Sequence, residues 1–231
     1  MSHEVIKFDL VSLLRNLDEN LADFENGFPL DDFAQGHYQQ HPFVTLLTCC
    51  DSRVPPSLLG DTFNRVFCIE NIGNQVKNSE GSVLYGILHL HTPLMIVAGH
   101  SECGAIKAAT SDFAAEPPAL VNELTTVKNS LEQACMGIKV DLATASPTQV
   151  QLSELNVDVQ IGLLLDHAEI ALLVKKQALQ LIGIMIDLHN FYGEGYGKVY
   201  TVNVNGEKDV ETIKKMDTIG GFAAKAQRLP K

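Results

Sequence analysis

Pro42-Phe43-Val44-Thr45-Leu46-Leu47-Thr48-Cys49-Cys50-Asp51-Ser52-Arg53 and, about fifty residues on, Leu94-Met95-Ile96-Val97-Ala98-Gly99-His100-Ser101-Glu102-Cys103-Gly104 share one plan. Each begins as a continuous apolar run of strand length and ends on thiol, imidazole or charged side chains. The prolines at 55 and 56 stop the first run from continuing as a strand. After the second, residues 104–110 read as the start of a helix. Between them lies another short apolar strand, Arg65-Val66-Phe67-Cys68-Ile69, then the turn-rich Asn71-Ile72-Gly73-Asn74. A helix over Ser79 to His89 follows, with Ser79 as its N-cap. Strands bare of polar residues and separated by helix-sized segments imply an α/β fold, a parallel sheet covered on both faces. Open sheets of this kind place ligands beyond the carboxyl ends of their strands. That is where both polar endings fall.

Toward the amino end, Leu10, Val11, Leu14, Leu17, Leu21 and Phe24 recur at helical spacing within Phe8 to Phe24. This amphipathic helix stops near Gly27-Phe28-Pro29, and its apolar face needs a partner, either the same domain's core or a second subunit. The middle, Glu116 to Asp158, is mostly helical in composition, with boundaries at Pro117-Pro118 and Ser146-Pro147. Leu179 to Leu188 and Lys198 to Val204 read as two strands around a glycine-rich connection, although by periodicity Leu163 to Leu188 also fits one long helix. No repeat or linker interrupts the chain. Residues 1–231 are expected to form a single domain, with 1–40 as a helical arm and 41–231 as the core.

A chain of 231 residues with 45% hydrophobic and 19% charged residues can bury a core without covalent staples. Its net charge of −11 repels phosphate backbones, and Lys214-Lys215 and the basic end at Lys225–Lys231 are too small to offset it, so nucleic acid is not an expected partner. The opening MSHEVIKFDL lacks a secretory pattern, and the longest apolar stretches, such as Leu179–Ile186, are too short to span a bilayer. Five cysteines, at 49, 50, 68, 103 and 135, are too few and odd in number for a disulfide framework. A reducing cytoplasm is expected.

Thiolates and imidazole are good zinc ligands, and three protein ligands leave one tetrahedral position free for chemistry. His100 and Cys103 stand three apart at a strand-to-helix turn, and Cys49 supplies a third bond from a neighbouring strand end. Alternation along an extended chain puts Cys49, Asp51 and Arg53 on one side and Cys50 and Ser52 on the other, so Cys50 is the bystander. A guanidinium beside Asp51 keeps that carboxylate ionised and fixes its direction. It can then accept a hydrogen bond from a zinc-bound water, or swing onto the metal itself. Cys68 and Cys135 read as small buried hydrophobes. His89 and His91 close a helix, Gly193 to Gly197 is a strand connection, and His167 and His189 have no converging partners.

The pattern Cys49-x-Asp51-x-Arg53 followed by His100-x-x-Cys103 resembles the β-class carbonic anhydrases. Glu70-Asn71-Ile72-Gly73-Asn74 resembles the family's Asn-containing loop, and Ser82 to Leu90 its following helix. Asn156-Val157, Gln160-Ile161 and Leu179 to Asp187 resemble its later helix and strand, so the likeness spans about residues 40–205. It implies that Leu181 to Leu188 is a strand paired with Lys198 to Val204 as an antiparallel edge, and that the N-terminal helix packs on a partner in a homodimer or higher homo-oligomer. It implies one zinc ion per subunit on Cys49, His100 and Cys103, with Asp51 and Arg53 as catalytic residues. The implied activity is reversible hydration of carbon dioxide to bicarbonate and a proton by zinc-bound hydroxide. Carbonyl sulfide or carbon disulfide hydrolysis at the same site is the alternative, and a non-catalytic zinc protein a further one. The chain departs from the family at Glu70, where Arg is common, and has no Trp.

Overall fold

A computed structural model describes residues 9–135 and 148–230; Phe8, the expected boundary at Ser146-Pro147, and Lys231 lie outside the described residues. Two compact units emerge, residues 1–40 and 41–231. In the first, helix α1 (Leu10–Gly27) is capped by Asp9, whose carboxylate accepts from the Val11 N–H at 3.2 Å and the Ser12 hydroxyl at 2.6 Å. None of its residues is buried, so Leu10, Leu14, Leu17, Leu21 and Phe24 form an open apolar stripe. A short α2 (Leu30–Ala34) follows, with the Phe28 and Phe33 rings 4.6 Å apart.

The second unit is a five-stranded sheet. Its strands are β1 (Val44–Cys49), β2 (Val66–Asn71), β3 (Leu94–His100), β4 (Gln180–Asp187) and β5 (Lys198–Val204). They lie in the order β2-β1-β3-β4-β5, all parallel except β5, which closes one edge antiparallel to β4. From β1 the chain steps outward to β2, then returns across β1 to β3 and continues the other way. The order therefore reverses between β1 and β3, and a crevice opens at their carboxyl ends.

Alternation divides the core into two layers. Leu46, Ile96, Ala98, Ile182 and Ile184 face α4 (Gly104–Ala109) and α5 (Pro118–Cys135) through Ile106, Val127 and Leu131. Leu47, Met95, Val97, Leu181 and Met185 meet Val83 and Ile87 on one side and α6 (Thr148–Asp166) on the other, through Val157, Ile161 and Leu164. Helix α6 lies flush on the strands because Gly99 and Gly183 present no side chain. A Cβ at either would stand 2.7 or 2.6 Å from a Val157 methyl.

Two expectations change. Ser79 stands at the N-cap position of α3 (Glu80–Leu84) but makes no side-chain cap bond: the helical segment begins with a tight turn at Lys77–Ser79, runs through α3 and widens to a π turn at Tyr85–His89. The Ser79 hydroxyl instead accepts from Asn71 Nδ2 at 2.9 Å, and the Gly86 carbonyl turns aside to take the Thr92 N–H. Cys68 is exposed, because β2 is the sheet's open edge and Cys68 and Glu70 alternate onto its uncovered face. Cys135 is half-buried against the first core layer. The strand expected over Leu181 to Leu188 is borne out by β4: α6 ends at Asp166, α7 (Ala168–Lys175) follows, and Gln177 takes φ +57° before β4 begins.

Candidate metal centre

Cys49 ends β1, His100 ends β3, and Cys103 begins the turn into α4, so neighbouring strands deliver all three donors to the crevice. Their ligand atoms lie within 4.8 Å of one another, and all three residues are buried. The two sulfurs are 3.9 Å apart. A tetrahedral zinc with Zn–S bonds of about 2.3 Å requires sulfurs about 3.8 Å apart. The imidazole is equally prepared. A carbonyl can only accept, so the 3.0 Å contact between His100 Nδ1 and the Ser101 carbonyl puts the proton on Nδ1. Nε2 is left buried with a bare lone pair and no hydrogen-bond partner among the described residues. An unpaired buried nitrogen costs stability unless something is bound there. Two thiols and this nitrogen fit zinc.

Backbone donors complete the electrostatics. The Cys103 thiol donates to Cys49, and this bond together with the Gly73 N–H draws the Cys49 thiol well below its ordinary value. Cys103 is driven upward by its contact with the Cys49 thiolate and by burial, while the N–H groups of Ala105 and Ile106 oppose the rise. A cation bound between the two sulfurs would displace the proton that Cys103 keeps.

Asp51 stands beside the cluster, its Oδ2 3.8 Å from His100 Nε2. Arg53 grips it from three directions: Nε and the backbone N–H donate to Oδ1 at 2.9 and 3.0 Å, and Nη2 to Oδ2 at 2.7 Å. The guanidinium holds this carboxyl well below the usual carboxylate range. Arg53 Nη2 also reaches the Glu102 carbonyl at 3.2 Å, joining the two motif loops. Cys50 is exposed and outside the donor cluster. A cavity of about 460 Å³ lies at the site, lined by Cys49, Cys50 and Asp51, by apolar residues including Ile72, Ala105 and Leu124, and by Asp112 and Glu116.

Two features escaped the sequence reading. Under the Gly73 loop lies a buried amide network. Gln75 Nε2 and Asn156 Nδ2 both donate to the Gly73 carbonyl, at 2.7 and 3.1 Å, and Gln160 and Ser130 bond Gln75 in turn. This fixes the peptide whose N–H faces Cys49. Its only sequence signal was amide side chains set among apolar residues. The second corrects the expectation that His189 has no partner: its Nδ1 lies 2.9 Å from the Ser101 hydroxyl. His89 stacks on Tyr85 at 4.5 Å in the helix-ending turn, and the Gly193–Gly197 segment connects β4 to β5, both away from the donors.

The sequence model of the family described as carbonic anhydrase matches residues 44–198, about two thirds of the chain and inclusive of every residue of this site. The chain belongs to the β-class carbonic anhydrase family. A carbonic anhydrase of Synechococcus elongatus is 35% identical over 108 residues, 41% of this chain and 39% of that protein. One of Mycolicibacterium smegmatis is 30% identical over 116 residues, 48% and 55% of the two. The chain thus spans about two fifths to about half the length of the curated relatives it matches. Solved β-carbonic anhydrases share the fold: one of two tetrameric enzymes from Sordaria macrospora at TM-score 0.63, covering 85% of this chain and 98% of that one, and the Coccomyxa enzyme in complex with acetazolamide at 0.66, covering 89% and 91%, each 22% identical. In carbonic anhydrase terms, the matched segment opens at the first residue of β1 and closes at the first residue of β5.

Proposed function

We propose that this chain catalyses the reversible hydration of carbon dioxide to bicarbonate and a proton, with one zinc ion per subunit on Cys49, His100 and Cys103. The supporting observation is the convergence of two sulfurs and one bare imidazole nitrogen beside an Arg-clamped carboxylate. Bound zinc supplies Lewis acidity that makes hydroxide available near neutrality. Asp51, kept ionised by Arg53, can only accept hydrogen bonds. It therefore accepts a hydrogen bond from a reacting hydroxyl and turns that oxygen's lone pair toward the substrate. Arg53 sets the direction, since its bonds to both carboxylate oxygens leave the group little freedom. The apolar part of the wall, at Ile72, Ala105 and Leu124, suits an uncharged linear molecule. With Cys50 exposed and apart, three ligands favour an open catalytic site over a closed structural one.

The open stripe of α1 supports a homodimer or larger homo-oligomer in which the 1–40 arm of a single functional domain docks on a second copy. The free cysteines suit a reducing cytoplasm. No helix among the described residues is long and apolar enough to cross a membrane. The test is a stopped-flow pH-indicator assay with carbon dioxide on protein of measured zinc content, run beside sulfide release from carbonyl sulfide. Rapid proton release with slow sulfide release is expected. Preference for carbonyl sulfide would reassign the substrate, and inertness of zinc-loaded protein toward both would make the centre non-catalytic.

A further inference from the structure

The turn that carries two of the three donors is tied to the neighbouring strand by one hydroxyl. Ser101 is fully buried, between His100 and Cys103. Its N–H donates to the Ile186 carbonyl at 3.0 Å, extending the β3–β4 ladder by one bond. Its Oγ accepts the Leu188 N–H at 2.9 Å and is hydrogen-bonded to His189 Nδ1, also 2.9 Å away. The β4 end is itself braced: Asp187, wholly buried, accepts the N–H groups of His189 and Tyr192 at 3.1 and 2.9 Å. The Ser101 carbonyl, oriented by these bonds, receives the His100 Nδ1 proton.

We propose that Ser101 is a positioning residue for the metal centre: its hydroxyl locks the 101–103 turn to the end of β4 and so holds the carbonyl on which the His100 ring is aimed. This rests on the reading of Cys49, His100 and Cys103 as zinc ligands. Partners of this kind orient a ligating imidazole and raise its basicity, and their loss weakens metal binding by about ten- to a hundred-fold. Ser101 touches neither the donor atoms of the cluster nor the substrate pocket; it acts through His100.

The test follows zinc release from the loaded protein to the chromogenic chelator 4-(2-pyridylazo)resorcinol, and the visible absorption of the cobalt(II)-substituted protein. Ser101→Ala should release zinc about ten- to a hundred-fold faster and change the cobalt bands, while Ser101→Thr, which restores the hydroxyl, should return both toward wild type. Thr201→Val is the control, because it removes another buried hydroxyl, bonded to the Phe222 carbonyl at 2.8 Å on β5. It should lower thermal stability without altering zinc release or the cobalt spectrum. Ser101→Ala with wild-type release and spectrum overturns the proposal, as does equal acceleration in Thr201→Val. If Ser101→Ala does not fold, the exposed His189→Ala keeps the test open: it removes one of the two hydroxyl partners, and an unchanged release rate there overturns the proposal. Wild-type protein that takes up no zinc overturns the ligand reading itself, and this inference with it.

Discussion

Replacing Arg228 by Met removes a guanidinium sandwiched between two carboxylates of α6. It donates to Asp158 at 3.1 and 2.8 Å, meets Glu154 at 2.8 Å and caps the Val202 carbonyl at 2.6 Å. Side-chain exposures of 15%, 5% and 10% for Arg228, Glu154 and Asp158 place the cluster inside the protein. Removing one partner of such a pair costs about 3–5 kcal/mol, mostly through the charge left behind. The lower end applies here, because Asp158 keeps Asn203 Nδ2 at 2.7 Å and Glu154 keeps the Tyr192 hydroxyl at 2.6 Å and the Leu229 N–H at 3.1 Å. The loss also depends on pH. Burial raises the Glu154 pKa above its ordinary value, and Arg228 is the foremost influence opposing that rise. A carboxyl whose folded pKa lies above its unfolded value takes up its proton first in the folded state, so acidification through that pKa favours folding. Without the guanidinium the pKa climbs further, and each added unit is about 1.4 kcal/mol recovered once Glu154 is protonated. Urea unfolding of both zinc-loaded proteins should show a gap of about 3 kcal/mol at pH 8 that narrows at pH 5. A gap below about 1 kcal/mol at pH 8, or one that does not narrow, refutes a buried charge cluster centred on Arg228.

Asp51→Asn should retain one zinc per chain by metal analysis yet lose most carbon dioxide turnover in stopped flow, since the amide can donate where the carboxylate only accepts. Full activity in that variant removes Asp51 from the mechanism. Gly183→Ala pushes a methyl into Val157 and should destabilise the fold by about 1–3 kcal/mol in denaturant melts, whereas Gly81→Ala, where nothing lies nearby, should not. Cys50→Ala should keep both zinc and activity; loss of zinc would make Cys50 a fourth ligand and the site structural.

The strands β1 and β3 were legible because strands covered on both faces are written as unbroken apolar runs. The donors were legible because they sit at the ends of those runs. Leu163 to Leu188 was ambiguous for the same reason: a buried helix and a buried strand both read as apolar, and only the turn at Gln177 separates them. Cys68 was misplaced because edge position is a property of strand order, which the strand's own residues do not encode. The contact of Ser101 with His189, 88 residues apart, and that of Gln75 with Asn156, 81 apart, exist only once β3 has paired with β4 and α6 has settled over the sheet.

Strands β1 and β3 meet in a fixed parallel register, Thr48 opposite Ala98, which brings Cys49 level with the start of the His100 turn. Sliding either strand by one residue would displace a donor by about 3.3 Å and flip it to the opposite face. The donor cluster is therefore a readout of strand register: a misaligned sheet would bring no three donors together.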